Sequence, residues 1–287
     1  MKGVVSILDG GLGNQMFQYA AALSVSERLG APLALDLRKL GKAGSRSFAL
    51  DVFRLKEGVG LISEGEAPKP PRRRYQLLRS LLGIRDYHKE KGFPYEPRIR
   101  SVSVPVTLDG YFQSERYFAD VAKTIRADFA PRDELRDEID ALAARLLPSG
   151  PCVSLHVRRG DYTHPATKAV HGLLDTDYYE RALRLMAEQT KTALPVCVFT
   201  DDPAWVRSHL ALRAETRFIS EHTRTALQDL ILMSRCSHHI TANSSFSWWG
   251  SWLNPSRDKI VVTPREWFRP ESGLDTRDLR PAGWLQA

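Results

Sequence analysis

One run constrains the fold of this chain more than any other: Cys152-Val153-Ser154-Leu155-His156-Val157-Arg158-Arg159-Gly160-Asp161-Tyr162. Its first residues are short, apolar or β-branched and predict a buried strand, and its carboxyl end delivers two arginines, a glycine and an aspartate in succession. In an open α/β sheet, ligands collect outside the carboxyl ends of the strands. A guanidinium placed there is planar and permanently charged. It can grip a diphosphate with paired N–H donors, so no divalent metal is needed to neutralise a nucleotide leaving group. The plain alternative is a surface turn whose arginines pair with nearby acids.

The surroundings of this run fit such a sheet. Strands are expected at 152–157, 195–200, 216–219, 238–242 and 259–263, separated by helices near 176–189, 203–210, 224–235 and 245–253. That alternation means parallel strands with right-handed crossovers. The amino end starts as a βαβ unit: a strand from Lys2 to Leu8, a glycine loop from Gly10 to Asn14, a helix from Gln15 to Leu29 and a strand from Leu33 to Leu37. Gly30-Ala31-Pro32 stops the helix. Gly11-Leu12-Gly13 before a helix invites a dinucleotide reading, with Asp36 on a ribose. Met16 or Phe17 fills the third glycine position, which argues against it. A strand over Val104–Phe112 leads to Ser114, expected to cap a helix from Glu115 onward. Pro131 to Leu147 reads as an amphipathic helix, and Pro148-Ser149-Gly150-Pro151 as a linker. With 287 residues the chain suits two domains, drawn at 1–148 and 149–287.

A net charge of +7 raises the question of nucleic acid. Between Pro68 and Arg100 there are ten Lys or Arg and three Asp or Glu, so this basic insert carries the whole excess. Arg72, Arg73, Arg74, Arg79 and Arg85 interleave with Leu77, Leu78, Leu81 and Leu82. That is the pattern of a basic amphipathic helix lying on an anionic membrane face, or of a solvated insert with a leucine stripe toward the core. A nucleic-acid partner is not expected. Cys152, Cys197 and Cys236 lack metal-ligand spacing and read as small core residues in a reducing compartment. The amino end turns polar too soon for a signal peptide.

Several side chains are candidates for chemistry. Asp201 and Asp202 follow the apolar run Val196–Phe199, at another strand end. Asp202 before Pro203 suits a helix cap, and the arginines already supply positive charge, so no metal is expected. Asp229 is a lone acid in an apolar helix. Its carboxylate could accept the two adjacent N–H donors of guanine, which adenine and uracil lack, or it could simply favour a helix start. Ser244, Ser245 and Phe246 open a helix after a strand and form an anion cradle opposite Arg158. Trp248, Trp249 and Trp252 read as packing, and His238 and His239 as structural.

Four separated stretches, in order, carry a family resemblance: Gly10-Gly11-Leu12-Gly13-Asn14-Gln15-Met16-Phe17-Gln18-Tyr19-Ala20, Gly110 to Phe118, His156 to Asp161, and Asn243-Ser244-Ser245-Phe246-Ser247-Trp248-Trp249-Gly250. Together they resemble glycosyltransferase family 11, the α-1,2-fucosyltransferases. The resemblance implies a GT-B-like α/β fold, two Rossmann-like parallel-sheet domains facing across a cleft. It implies inverting transfer of L-fucose from GDP-β-L-fucose to the 2-hydroxyl of a terminal β-galactoside, without cofactor or metal. Arg158, Asp161 and Asp201 are then the catalytic candidates. His156, Arg158, Arg159, Asp229, Ser244, Ser245, Phe246 and the amides of Gly13 and Asn14 are implied to bind donor, and Asn14, Gln15, Tyr111 and Gln113 to lie on the acceptor side. Related fucosyltransferases place a guanine-binding aspartate sixteen residues before the motif serine, the spacing of Asp229 and Ser245. The animal members carry an anchor, so a cytosolic bacterial enzyme is expected, with a lipid-linked acceptor and peripheral membrane contact through residues 68–100.

Overall fold

The computed structural model describes residues 3–41, 46–63 and 87–287, without the side chains of Asp161 and Ala166. It divides into two compact units, one of residues 1–130 and 275–281, the other of 131–274 and 282–287.

The first unit starts with β1 (Val4–Ile7), α1 (Leu12–Leu29), β2 (Leu33–Asp36) and β3 (Gly60–Ile62), and adds β4 (Tyr87–Lys89) and β5 (Val106–Asp109). The sheet order is β3-β2-β1-β5-β4, and every pairing is parallel. α1 begins at Leu12 with Gly11 as its cap and ends on Gly30, whose φ of 58° places it in the left-handed region that glycine adopts without strain. Residues 68–86 of the basic insert lie outside the described residues. The rest of it forms β4 and a 3-10 turn, Pro97–Ser101.

The helix expected from Glu115 is instead a 3-10 turn over Glu115–Tyr117, and α2 (Ala122–Asp128) starts later. Phe118 leaves the helical backbone, with φ of −142°, and Tyr117 and Phe118 are both buried. The backbone kinks so that Tyr117 meets Phe112 and Phe118 meets Phe17.

The second unit comprises α3 (Asp133–Leu146), β6 (Val153–Val157), α4 (Pro165–His171), α5 (Thr176–Thr190), β7 (Val196–Thr200), α6 (Pro203–His209), β8 (Thr216–Phe218), α7 (Ala226–Arg235), β9 (His238–Ile240), α8 (Ser245–Leu253), β10 (Val261–Thr263) and β11 (Leu285–Gln286). Its sheet runs β11-β10-β9-β6-β7-β8, again with parallel pairings. β6 and β7 are buried along their whole length, which is why they read as continuous apolar runs. Period two sorts their side chains between layers. Val153, Leu155, Val157, Val196 and Val198 pack with Tyr178, Tyr179, Ala182 and Met186 of α5. Cys152, Cys197 and Phe199 face the opposite way, toward Leu142 of α3 and Leu232 and Met233 of α7.

This packing moves the domain boundary. α3 was expected to end the first domain at the Pro148–Pro151 linker, yet its buried Ile139 and Leu142 and the bond from Gln228 Nε2 to Glu138 (2.9 Å) tie it to the second unit. Residues 275–281 return to the first unit, where Asp278 accepts from Tyr95 N (2.9 Å) and pairs with Arg116.

Candidate active site

In the second unit the predicted strand end is built from two adjacent parallel strands. β6 stops at Val157 and β7 at Thr200, paired in register, so Arg158 and Asp201 are neighbours one step beyond the pairing. Arg158 Nη1 lies 2.8 Å from Asp201 Oδ2, and the two side chains are 30% and 27% exposed. Asp201 Oδ1 accepts the backbone N–H of Arg159 at 2.9 Å. Gly160 is required here: a Cβ on it would sit 2.6 Å from Asp201 Oδ2. Asp201 therefore holds the arginine loop, and half-exposed Arg158 is the charge that the loop presents. Its guanidinium also lies 5.9 Å from the centre of the Tyr162 ring, whose hydroxyl donates to Asn243 O at 3.0 Å.

Arg159 diverges from its neighbour. Its Nε reaches Asp202 at 3.3 Å and its guanidinium lies over Trp205, 4.0 Å from the ring centre. Arg159, expected to bind donor, thus engages Asp202 and Trp205 at the start of α6. Asp202 caps α6, accepting from Trp205 N at 3.0 Å, as its position before Pro203 suggested.

His156 stands on β6 two residues before Arg158, on the face opposite Leu155 and Val157, and its ring lies 5.7 Å from that of Phe246. It is 5% exposed and its Nδ1 has no hydrogen-bond partner. Burial, then the charge of Arg158, pushes its pKa down to about 3, so the imidazole is neutral at physiological pH. A buried polar atom with no partner is expensive, and a ligand hydroxyl would satisfy it. Phe246 lies in the first turn of α8. Ser244 is the cap, its Oγ accepting from Phe246 N at 3.3 Å, and Ser245 sits half-buried on the first turn. Helix start, neutral histidine and Arg158 thus share the carboxyl side of one sheet, where an anion is favoured.

Asp229, in the first turn of α7, reaches the same side. Its oxygens accept from Ser220 (2.7 Å) and Thr223 (2.6 Å), and Ser220 Oγ in turn accepts Thr200 N at the end of β7 (3.1 Å). Burial raises its pKa and the two hydroxyls pull it back. Each carboxylate oxygen carries two lone pairs, so one bond apiece leaves acceptor capacity for a paired donor. The side chain of Asp161 lies outside the described residues; its backbone opens a 3-10 turn, Asp161–Thr163.

The first unit's strand ends are arranged differently. Gln15 is fully buried and structural, which corrects its expected acceptor-side place: Nε2 donates to Gly10 O and Ser47 O, and Oε1 accepts from Ala49 N. The amide of Asn14 donates to Gly11 O at 3.0 Å within the helix start, so it is not the anion donor it was expected to be. Asn14 Oδ1 instead accepts from Gln113 Nε2 at 2.8 Å, joining two of the expected acceptor-side residues. Gly13 is buried in the same turn. Gln18 bridges Gly110 O and Asp9 N. Tyr111 is exposed (36%), whereas Phe112, Tyr117 and Phe118 are buried as packing. Asp36 is held by Arg38 (Nε to Oδ1, 2.8 Å), which leaves the dinucleotide reading without its ribose acceptor.

Three features escaped the sequence reading. Glu90, just past β4, accepts Tyr111 N (2.7 Å) and Phe112 N (3.0 and 3.1 Å), and burial pushes its pKa up to about 7 against the pull of those amides. Tyr162 links the arginine loop to Asn243. Cys152, Cys197 and Cys236, expected as separate core residues, are buried but lie together, with sulfurs within 4.8 Å of one another. Trp248, Trp249 and Trp252 pack in the core as anticipated.

With this geometry in hand, the chain was compared with known proteins. The sequence profile of glycosyl transferase family 11 matches residues 85–285. Among curated proteins, the O-antigen biosynthesis glycosyltransferase WbnK of Escherichia coli is 33% identical, covering 98% of this chain and 99% of its own. An alpha-1,2-colitosyltransferase of Escherichia coli is 32% identical over 100% of this chain and 99% of its own. The galactoside alpha-(1,2)-fucosyltransferase 2 of Oryctolagus cuniculus is 28% identical over 96% and 77%. Among solved structures, the fucosyltransferase NodZ from Bradyrhizobium has the same fold, with a TM-score of 0.55 and 20% identity over 88% of this chain and 92% of its own. A crystal of NodZ alpha-1,6-fucosyltransferase soaked with GDP-fucose superposes at a TM-score of 0.52, with 20% identity over 88% and 93%.

Proposed function

The chain belongs to glycosyltransferase family 11, and from that premise we propose that it moves L-fucose from GDP-β-L-fucose to the 2-hydroxyl of a terminal β-galactoside, with inversion. The observation that carries this reading is Arg158, held by Asp201 at a strand end beside the start of α8. In the transfer, the bond from fucose C1 to the β-phosphate oxygen breaks and its electron pair stays with the phosphate. The galactoside oxygen bonds to C1 from the opposite face, and its proton passes to solvent water. Arg158 meets the charge that grows on the leaving diphosphate, so its interaction strengthens toward the transition state. Ser244, Ser245 and the start of α8 hold the phosphates, His156 takes a nucleoside hydroxyl on its unpartnered nitrogen, and Asp229 reads guanine. Asp201 acts through Arg158 as its positioning partner.

The 2-linkage is supported by the names of the colitosyl and rabbit relatives. The donor is supported by the fold shared with an enzyme soaked with GDP-fucose. Metal independence rests on the arginine. A thermal-shift panel of GDP, ADP and UDP, each with and without chelator, tests the donor side. GDP alone should stabilise, unchanged by the chelator; equal shifts with ADP or UDP, or loss with the chelator, would overturn the assignment. NMR of the product should show an α-1,2 bond.

The similarity to a colitosyltransferase favours a second reading. Colitose is L-fucose without its 3-hydroxyl, so comparing kcat/KM for GDP-fucose and GDP-colitose decides the donor. We place the acceptor on a lipid carrier at the inner membrane face. Liposome binding that survives replacement of Arg72, Arg73 and Arg74 by Ser would remove the membrane part.

A further inference from the structure

The second unit holds a cavity of about 700 Å³ that the transfer chemistry above does not use. Its walls are the end of α4 with the segment to Thr176, the start of α6, and residues 266–271. Two features tie it to the donor site. Arg159, the immediate neighbour of Arg158, lines it, with its guanidinium over Trp205. Asn243, the residue before the cap of α8, clamps both walls: its Nδ2 donates to His171 O at 2.8 Å and Trp267 O at 3.2 Å. The walls also meet directly where Arg269 N donates to Val170 O at 2.9 Å. Gly172 allows that approach, because a Cβ on it would lie 3.1 Å from Arg269 Cγ.

The lining is chemically mixed. Arg159, Lys168 and Arg269 face it together with Asp175, Glu266 and Glu271, and Phe268 supplies an apolar wall. Equal numbers of cations and carboxylates leave no net charge to draw in a simple anion, and Leu173, Leu174, Trp205 and Pro270 add apolar wall beside Phe268. The charged groups supply both donors and acceptors to a polyhydroxylated ligand. We propose that this groove binds the inner sugars of an oligosaccharide acceptor, those behind the residue that receives the transferred sugar. The inference rests on the proposed transfer to a glycan and deepens it: the groove, not the transfer site, selects acceptors by chain length.

The test compares a methyl β-galactoside with a galactose-terminated tetrasaccharide, using the intact enzyme and the variants Lys168→Ala/Arg269→Ala and Glu266→Ala. The KM for the tetrasaccharide should rise about tenfold, the loss expected for one or two hydrogen bonds to charged groups. Its kcat, and the KM values for methyl galactoside and GDP-fucose, should not move. If both acceptors weaken together, or neither does, the groove is not an acceptor subsite. Saturation-transfer NMR of the tetrasaccharide with enzyme and GDP separates this from failure of the fucosyl reading. Contacts at inner sugars that vanish in the double variant sustain the groove even if no fucose is transferred. Absence of such contacts in the intact enzyme overturns it.

Discussion

The two units carry the same architectural feature, the carboxyl edge of a parallel sheet, and finish it with different chemistry. In the second unit the edge is ionic and half open: Arg158 with Asp201, Arg159 with Asp202. In the first, the pairs Arg38 with Asp36 and Lys39 with Asp109 stand beside a lattice of neutral amides, Gln15, Gln18, Asn14 and Gln113, which is joined to backbone groups and buried apart from half-buried Asn14. A half-exposed ion pair contributes little to stability but leaves a charge ready to redirect. A buried amide lattice contributes to stability and has no charge to give. The contrast predicts that substitutions at one edge reduce turnover, whereas those at the other reduce folding.

The largest effect should fall on Arg158. Replacing it with Ala removes a preorganised donor aimed at developing charge, a loss of about 2.7–4 kcal/mol in the barrier, or about 10²–10³ in rate. The melting temperature and GDP affinity should change far less. Intact turnover in a folded Arg158→Ala protein would end the comparison, because the ionic edge would then have no catalytic task.

Glu90 is a buried acid beside that lattice, bonded to the amides of Tyr111 and Phe112, and its effect belongs to stability. Its folded pKa of about 7 stands above the ordinary carboxylate value of 4.5, so between these pH values the folded state holds the proton more tightly than the unfolded chain. The contribution of Glu90 to stability is therefore fully present below pH 4.5 and is lost as pH rises to 7, by roughly 3 kcal/mol in all. Urea melts across that window should show the slope, and Glu90→Gln should flatten it. A profile that is the same in both proteins would deny Glu90 that role.

Gln15→Leu should cost about 2–3 kcal/mol, because the carbonyls of Gly10 and Ser47 and the amide of Ala49 lose their partner in a buried place. Turnover per folded molecule should stay within about twofold of the parent if the amide lattice is purely structural, a bound smaller than a single lost hydrogen bond would give. A KM effect on acceptor without loss of stability would restore the acceptor-side role read from the sequence.

That misplacement of Gln15 shows where sequence reading stops. β6 and β7 were legible because burial on both faces leaves an unbroken apolar run, and α8 because a strand, a serine cap and a tryptophan-rich turn follow in order. Gln15 and Asn14 lie side by side in one helical turn. Whether a side chain there enters the core or faces a ligand depends on a loop at residues 47–49 that periodicity did not place. Asp201 is legible as a strand-end acid and, by the resemblance, as a catalytic candidate. Its bonds to Arg158 and Arg159 arise only when β6 and β7 pair, more than forty residues apart. The three cysteines could each be assigned to the core, but their meeting depends on sheet order.

The smallest effect is the most specific test of the ionic edge. Asp201→Asn keeps an acceptor for Arg159 N–H but removes the charge that holds Arg158, and Gly160→Ala forces a methyl group to within 2.6 Å of the same carboxylate oxygen. If Asp201 works by position, both changes should lower turnover by about tenfold, the scale of one lost charged hydrogen bond. The stability change should be small, as for a half-exposed pair. In the double variant the two losses should not add, because each acts through the placement of one guanidinium. Additive losses would mean that Asp201 touches the reacting groups itself. In that case the ionic edge would contain two catalytic charges, where the observed geometry supports one charge and its support.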